Sequence, residues 1–323
     1  GVQTCALPIL ASFPDFNPNN REGAVLDDFR NRAISDTFEP GSTVKPLVIM
    51  TALQQGIVQP DSVIDTHPFY LDGHRIRDVG FYPELSLTGI LQKSSDTGVS
   101  HLSLAMPVQK LLDTYKSFGF GDPTGLGLTG ESSGLMPQRR YWSDLDRATF
   151  AFGYGLMVTP LQLAHVYATI GSFGIYRPLS ITRIDPPVIG TRVMPEALVH
   201  QVEHMMESVA LPGGGGTKAA VRDYRVAVKT GTAKKIGDDG KYVDKYVAYT
   251  AGVAPASDPK FALVVVINNP QNGAYYGGAV SAPVFSQIMG DVLRLENVKP
   301  DGMPADSDHL LVMHGSNVSS PSL

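Results

Sequence analysis

Ser42 and Lys45 are the first residues whose types and spacing suggest chemistry. They lie three positions apart in the segment EPGSTVK, residues 39–45, at the start of a predicted buried helix. This spacing places both side chains on one helix face, within hydrogen-bond reach. A serine hydroxyl needs an adjacent base, and a lysine serves when burial or nearby cations keep its amine neutral. Because a helix N-terminus also offers free N–H groups to a developing oxyanion, the pair predicts acyl transfer through Ser42.

Two further motifs supply polar groups later in the chain. The segment KSSDTG, residues 93–98, contains Ser94 and Asp96. The segment VAVKTGTA, residues 226–233, is predicted as a strand whose end carries Lys229, Thr230, Gly231 and Thr232. A lysine and two hydroxyls beside a cleft can bind a substrate carboxylate, and a glycine lets substrate backbone approach closely. Each motif alone is weak, since a capped helix or a strand end also explains it, but the ordered combination predicts a serine enzyme.

Together these motifs resemble those of the serine penicillin-recognising enzymes. The chain is most similar to the transpeptidase domain of class B penicillin-binding proteins of the division-specific type (the penicillin-binding protein 3 type), and it resembles pseudomonad members most closely. The resemblance covers nearly the whole chain from about Leu10. The stretches that carry it are residues 11–19 (ASFPDFNPN), 39–46 (EPGSTVKP), 152–160 (FGYGLMVTP) and 229–233 (KTGTA).

The resemblance implies a peptidoglycan D,D-transpeptidase that acts in septal cell-wall synthesis. Ser42 would attack the carbonyl between the two D-alanines of a stem peptide, and the acyl group would pass to an amine on a neighbouring stem. β-Lactams would acylate Ser42 because they mimic the D-alanyl-D-alanine terminus. The implied roles are general base for Lys45, proton relay for Ser94, carboxylate binding for Lys229, Thr230 and Thr232, and an oxyanion hole formed by the N–H groups of Ser42 and Thr232.

The resemblance also implies a cellular setting. Division enzymes of this family are anchored by an N-terminal membrane helix, so we expect a location at the periplasmic face of the bacterial inner membrane, with the anchor outside these residues. The expected partners are peptidoglycan stem peptides, β-lactams and membrane proteins of the divisome, including a glycosyltransferase.

Asp96 departs from the family pattern, in which the second motif usually ends in asparagine. An asparagine amide can donate a hydrogen bond to a substrate carbonyl, whereas an ionised carboxylate cannot. An aspartate close to Lys45 favours the protonated lysine, which opposes a general-base role. Three arrangements stay open: Asp96 points away from Lys45, Asp96 is held protonated, or the proton follows a different route.

Hydrophobic periodicity predicts an α+β protein. Apolar residues at helical spacing predict helices over 107–118, 160–171, 195–209 and 283–295, and a buried helix over 42–55 that ends at Gly56. Short β-branched and aromatic runs predict strands over 224–228, 246–253 and 261–268. Consecutive strands with short connections form an antiparallel sheet, which the helices cover. The resemblance makes this the serine β-lactamase / D,D-peptidase-like transpeptidase fold.

The predicted domain organisation is one catalytic domain over residues 10–300. Residues 1–9 (GVQTCALPI) resemble translated adaptor sequence and are predicted to be a non-native lead-in. Residues 301–323 are polar and turn-rich, and are predicted to form a disordered tail.

Composition excludes several classes of protein. The chain is 43% hydrophobic with a net charge of −5 and interspersed charges, so no basic surface indicates nucleic acid. A single cysteine, Cys5, excludes internal disulfides and a cysteine-based zinc site. Residues 200–204 (HQVEH) match an inverted zinc-protease motif, but no third ligand is evident. We therefore predict no metal and no cofactor, and no apolar run is long enough to predict a membrane span.

Other functions share the same motifs. A serine β-lactamase would also hydrolyse its acyl-enzyme, but the chain lacks the glutamate loop of class A enzymes between its second and third motifs. A D,D-carboxypeptidase would use water as the acceptor. A non-enzymatic penicillin sensor would acylate without cross-linking, and a mainly structural divisome role is an alternative if Asp96 disables turnover.

Overall fold

The computed structural model describes residues 8–302 except residues 183, 187, 238 and 272. Its helices are α1 (Arg32–Ser35), α2 (Lys45–Gln54), α3 (Leu87–Lys93), α4 (Asp96–Leu104), α5 (Val108–Ser117), α6 (Asp144–Ala151), α7 (Pro160–Gly171), α8 (Glu196–Glu207), α9 (Gly277–Val280) and α10 (Ala282–Leu295). Its strands are β1 (Val63–Asp65), β2 (Phe69–Leu71), β3 (His74–Ile76), β4 (Glu84–Ser86), β5 (Ile175–Tyr176), β6 (Thr191–Arg192), β7 (Ala227–Ile236), β8 (Tyr242–Ala254) and β9 (Phe261–Asn268). Short 3-10 helices span Leu26–Phe29, Gly41–Val44 and Thr217–Ala219.

The main sheet is antiparallel, with strand order β7-β8-β9. Because successive side chains of a strand point to opposite faces, β8 packs against helices on both sides. On one face the side chain of Val253 lies against Gly171 at the end of α7. On the other face the Thr250 hydroxyl lies 2.8 Å from the Ser281 hydroxyl, beside α9 and α10. The predicted α+β architecture, with helices covering an antiparallel sheet, is confirmed.

Helix α2 is buried on all sides. Leu47, Val48, Ile49 and Met50 are fully buried, and the helix packs against α4, α5 and α8. The prediction of a buried helix is therefore confirmed, but its start was predicted three residues early. Residues Gly41–Val44 form a 3-10 helix, and α2 begins at Lys45. The reason is Pro46, whose ring would clash with the carbonyl four residues earlier in a continuous α-helix.

The strand that carries the third motif was predicted too short. It was expected over 224–228 with the lysine and threonines at its end, but β7 runs from Ala227 to Ile236. Its register with β8 continues through the motif, with Lys229 opposite Ala251 and Gly231 opposite Tyr249. Lysine and glycine have low strand propensity, so the pairing with β8 overrides the local preference. The other predicted strands, and helices α5, α7, α8 and α10, are confirmed within a few residues.

Residues 1–7 and 303–323 lie outside the described residues, so the predicted lead-in and tail stay predictions. At the C-terminal edge of the described part, the Asp301 carboxylate accepts the backbone N–H groups of Arg225 at 2.7 Å and Ser257 at 3.0 Å. Within the described part of the chain, no helix combines the length and the apolar character that a membrane crossing requires.

Candidate active site

Ser42 lies in a tight turn that two other segments hold in place. The turn is the 3-10 helix Gly41–Val44, in which Ser42 is partly exposed and its neighbours are buried. The N–H of Gly41 donates to the carbonyl of Gly153 at 3.2 Å. Gly41 has φ +49°, and a Cβ there would collide with the hydroxyl of Tyr249. Glycine is thus required for the nucleophile turn to approach β8.

Ser94 joins α3 to α4 in a left-handed conformation, with φ 58° and ψ 45°. Non-glycine residues in this region are strained and tend to mark functional sites. The next residue, Ser95, caps α4 by accepting the N–H of Gly98 at 2.9 Å. The second motif therefore contains the predicted cap, and it also places Ser94 between two lysines.

Lys45 is fully buried and points at the second motif. Its Nζ donates to the carbonyl of Ser94 at 2.6 Å, to Ser94 Oγ at 3.3 Å and to Asp96 Oδ1 at 2.6 Å. Within the described residues Lys45 makes no hydrogen bond to Ser42. The spacing of the first motif brings Lys45 near the nucleophile, but tertiary contacts decide where its amine points.

Lys229 approaches the same serine from β7. Its Nζ is fully buried and lies 2.9 Å from Ser94 Oγ and 3.0 Å from the carbonyl of Thr230. Burial holds the pKa of Lys229 well below its usual range; the charge of Lys45 lowers it further, and Asp96 opposes the shift. The hydroxyl of Ser94 thus lies within hydrogen-bond distance of two buried lysines.

Asp96 does not point away from Lys45, so the first of the three sequence-based arrangements is excluded. Its carboxylate forms an ion pair with Lys45, and its side chain is 37% exposed. Its other carboxylate oxygen makes no hydrogen bond within the described residues. An aspartate at this position therefore gives Lys45 a partner of opposite charge.

Asp78 is a residue of the site that sequence reasoning missed. Its Oδ1 accepts the N–H groups of Asp96 at 2.7 Å and Thr97 at 2.9 Å, and its Oδ2 accepts the Thr97 hydroxyl at 2.9 Å. It therefore binds the first N–H groups of α4 from the loop after β3. No local sequence pattern predicts this contact, because the carboxylate that caps the helix lies 18 residues before the helix begins.

The third motif is split between the two faces of β7. Lys229 and Gly231 point to the side of Tyr249, and Thr230 and Thr232 point to the other side. A Cβ on Gly231 would collide with the ring of Tyr249, so the glycine is required by packing within the protein. Thr232 Oγ1 accepts the N–H of Gly277 at 2.9 Å, which leaves the hydroxyl hydrogen available to a ligand.

Glu39, just before the nucleophile turn, forms hydrogen bonds to the segments that contain Gly155 and Tyr242. Its buried carboxylate accepts the N–H of Gly155 at 2.8 Å and the hydroxyl of Tyr242 at 3.0 Å. Burial raises the pKa of Glu39, and these two hydrogen bonds oppose the shift. Burial raises the pKa of Tyr154 to about 12, and the charges of Asp96 and then Glu39 add to the shift. The sequence places Glu39 in the first motif but offers no signal for this role.

The histidine pair of α8 does not form a metal centre in the described part of the chain. His200 stacks on Phe173 with ring centroids 3.8 Å apart, and His204 bonds Glu207 at 2.9 Å. Both histidine side chains are exposed. No group of three or more candidate ligands that could hold a metal ion occurs among the described residues.

The chain is similar in sequence to known penicillin-binding proteins over almost its whole length. The profile of the penicillin-binding protein transpeptidase domain family matches residues 2–290. The peptidoglycan D,D-transpeptidase FtsI of Escherichia coli K12 is 62% identical over 322 residues, which is 99% of this chain and 55% of that protein. The probable peptidoglycan D,D-transpeptidase PbpC of Pseudomonas aeruginosa is 38% identical over 305 residues, covering 93% of this chain and 54% of that protein. The chain thus spans about half the length of these curated relatives.

A solved structure agrees with the sequence comparisons. The apo transpeptidase domain of penicillin-binding protein 3 from Burkholderia pseudomallei superposes with a TM-score of 0.81 at 37% identity, covering 85% of this chain and 84% of that one. The expected transpeptidase fold and the resemblance to the penicillin-binding protein 3 type are confirmed. The chain belongs to the penicillin-binding protein transpeptidase domain family.

Proposed function

We propose that the chain is the catalytic part of a peptidoglycan D,D-transpeptidase that works through an acyl-Ser42 intermediate. The observation that carries the proposal is the position of Ser94, whose Oγ lies 3.3 Å from Lys45 Nζ and 2.9 Å from Lys229 Nζ. One hydroxyl between two buried amines can pass a proton in either direction beside the nucleophile turn. The family and the relatives named above use their domain for this class of reaction.

The proposed roles are those that the resemblance implies, and the geometry of the site supports them. Ser42 attacks the carbonyl between the two D-alanines of a donor stem peptide, and the terminal D-alanine leaves. The N–H groups of Ser42 and Thr232 bind the oxyanion, which is supported by a Cβ position on Gly41 only 3.7 Å from the carbonyl oxygen of Thr232. Thr230 and Thr232 bind the terminal carboxylate of the substrate, a role that the resemblance also implies for Lys229. The proton of Ser42 passes into the group formed by Lys45, Ser94 and Lys229.

The cellular role is part of the proposal. FtsI of Escherichia coli is a peptidoglycan D,D-transpeptidase by name, and its relatedness supports septal cell-wall synthesis. The catalytic domain would then act at the periplasmic face of the inner membrane, with a glycosyltransferase and other divisome membrane proteins as partners. β-Lactams would be covalent inhibitors, because their strained amide presents the same carbonyl to Ser42.

The test is an acylation assay on the purified chain. We expect incubation with a penicillin to add one penicillin mass to the intact protein, and we expect Ser42→Ala to prevent it. Ser62→Ala, at a partly exposed serine whose hydroxyl accepts the backbone N–H of Gln59, is the matched control and should acylate normally. An adduct that persists for hours supports a penicillin-binding protein. Rapid release of hydrolysed penicillin would instead identify a β-lactamase, and the absence of both would contradict the proposal.

Acceptor specificity needs a second assay. Stem peptides that end in D-alanyl-D-alanine, mixed with an amine acceptor strand, should yield a cross-linked product and free D-alanine. Release of D-alanine without a cross-linked product would identify a carboxypeptidase. Acylation without either product would favour a sensor or structural role.

A further inference from the structure

The two lysines around Ser94 have different sets of hydrogen-bond partners. Lys45 has three acceptors within reach: the carbonyl of Ser94, Ser94 Oγ and Asp96 Oδ1. A lysine ammonium has three N–H donors and no lone pair. The surroundings of Lys45 therefore match a fully used ammonium, with no lone pair left to take a proton from Ser42.

Lys229 has the surroundings of a neutral amine. It has one carbonyl acceptor, that of Thr230 at 3.0 Å, and it meets Ser94 Oγ at 2.9 Å. Since Ser94 Oγ accepts a hydrogen bond from Lys45, its own hydrogen needs an acceptor. A neutral Lys229 offers a lone pair at that distance, whereas a charged one offers only another donor.

Charge balance indicates the same assignment. Both amines are fully buried and share one hydroxyl, so two positive charges there would repel at short range. Asp96 is the carboxylate in contact with the pair, and it bonds Lys45. Burial and the neighbouring Lys45 also hold the pKa of Lys229 well below its usual range. The charge therefore stays on Lys45.

We propose that in this chain Lys229, acting through Ser94, is the base that deprotonates Ser42, and that Asp96 holds Lys45 in the charged, positioning state. The proposal rests on the proposed acyl-Ser42 function and changes the role that the resemblance implied for Lys45. It applies to this chain because it carries aspartate where the family usually has asparagine.

The step balances without any other reactant. Ser42 Oγ forms its bond to the substrate carbonyl carbon and gives its proton to Ser94 Oγ, while Ser94 gives its own proton to Lys229 Nζ. Lys229 becomes an ammonium, and Ser94 ends as a neutral hydroxyl. When the tetrahedral intermediate collapses, the proton returns through Ser94 to the leaving nitrogen, and Lys229 is neutral again.

Substrate binding strengthens this base. A carboxylate docked on Thr230 and Thr232 brings a negative charge to the strand that carries Lys229, which raises the proton affinity of its amine. The amine thus becomes more basic when the substrate arrives, because the negative charge on the opposite face of the strand stabilises the ammonium formed in the step. Lys45 keeps the Ser94 hydroxyl oriented by donating to Ser94 Oγ and to the backbone carbonyl of the same residue.

The test is a double-mutant cycle on the second-order rate of acylation by a penicillin. Lys229→Arg keeps a donor and a charge but cannot accept a proton. With Asp96 present we expect Lys229→Arg to lower the rate about 1,000-fold, the scale of a lost general base. In the Asp96→Asn background Lys45 is released from its carboxylate and can act as base, so the same change should cost only about 10-fold. Equal losses in the two backgrounds would overturn the inference.

A direct measurement covers the case in which the larger arginine disturbs the fold. Lysine side chains labelled with ¹⁵N report separately on ammonium and neutral amine groups. We expect one neutral amine resonance at pH 7 that disappears in Lys229→Met and remains in Lys45→Met. The opposite pattern, or no neutral resonance, would refute the assignment. If the wild type forms no Ser42 adduct, the proposed function itself fails, whereas an adduct with an additive cycle refutes only this inference.

Discussion

The catalytic lysines and Glu203 are two regions in which ionisable groups are buried, and they differ in their partners. Lys45 and Lys229 are both fully buried, and each amine has hydrogen-bond acceptors or a shared hydroxyl around it. Glu203 on α8 is 2% exposed, and its Oε1 has no hydrogen-bond partner among the described residues. The first region combines burial with partners, and the second has burial without them.

A nearby group of opposite charge is what keeps a charged group inside the fold. Lys45 has a carboxylate beside it, so its charge is compensated. Burial, followed by the repulsion of Glu207, raises the pKa of Glu203 to about 8, and Arg225 only partly opposes this. The guanidinium of Arg225 is engaged by Glu207, at 2.7 and 2.8 Å. Glu203 is therefore neutral at pH 7, and it contributes to the core as an uncharged acid.

Of the variants considered, Lys229→Met should have the largest effect on acylation. A small effect would mean that the buried lysines do not differ from Glu203 in the way described. We expect acylation of Ser42 to fall about 1,000-fold, because the variant removes the amine that takes the proton. The lowered pKa means that the unfolded state binds more protons than the folded state between the folded-state value and the ordinary value of 10.5. The unfolding free energy of the wild type should thus rise with pH in that range, and the variant should lose this rise.

Urea denaturation at several pH values, together with the acylation assay, checks this prediction. Lys218→Met, at an exposed lysine, is the matched control. An unchanged pH dependence of stability in Lys229→Met would mean that Lys229 is charged in the folded protein.

Glu203→Gln should increase stability without affecting acylation. Because the folded pKa of about 8 exceeds the ordinary 4.5, the folded state binds more protons between these values, and wild-type stability should fall as pH rises through them. We expect the variant to be more stable than the wild type by about 5 kcal/mol at pH 9, with little difference at pH 4. Glu196→Gln, at an exposed position of the same helix, should change stability by less than about 0.5 kcal/mol.

Thermal and urea unfolding at the two pH values measure this difference. A variant that is no more stable at pH 9 would show that Glu203 has a charge-stabilising partner. A loss of acylation in Glu203→Gln would show that the two buried regions are coupled.

Asp78→Ala should have an intermediate effect that links stability to the site. It removes the carboxylate that accepts the first N–H groups of α4, which should cost about 1–2 kcal/mol of unfolding free energy. Acylation should fall as well, because α4 positions Asp96 and thereby Lys45. Asp78→Asn keeps an accepting oxygen and should recover most of both losses. Asp61→Ala, at an exposed aspartate, is the control, and equal loss in the Asn and Ala variants would contradict the capping role.

Glu207→Gln should have the smallest effect. Its ion pair with Arg225 is partly exposed, so we expect a loss of about 0.5 kcal/mol, measured by urea denaturation at pH 7. The variant also removes the charge that helps to raise the pKa of Glu203, so the pH dependence of stability should shift to lower pH. A shift to higher pH would contradict the assigned cause.

Elements whose residues form contacts close by in the chain could be predicted from the sequence. Helix α7 was predicted over 160–171 from apolar residues at helical spacing, and the structure has it over Pro160–Gly171, with the Thr159 side chain accepting the N–H of Gln162. Sequence reasoning failed where distant segments decide. The extension of β7 depends on pairing with β8, and Asp78 caps a helix that begins 18 residues later. Gly231 was expected to admit substrate, yet the ring of Tyr249 accounts for it.

The sequence by itself determined the family, the order of the three motifs, the α+β class and the buried helix that follows Ser42. These follow from residue types and periodicity, which act locally. Only the tertiary structure decided that Lys45 bonds Asp96, that Lys229 reaches the same hydroxyl of Ser94, and that Glu203 is buried without a hydrogen-bond partner for its Oε1 among the described residues. The charge of a buried group depends on its neighbours in space and on its distance from water, and neither is encoded at one position of the chain.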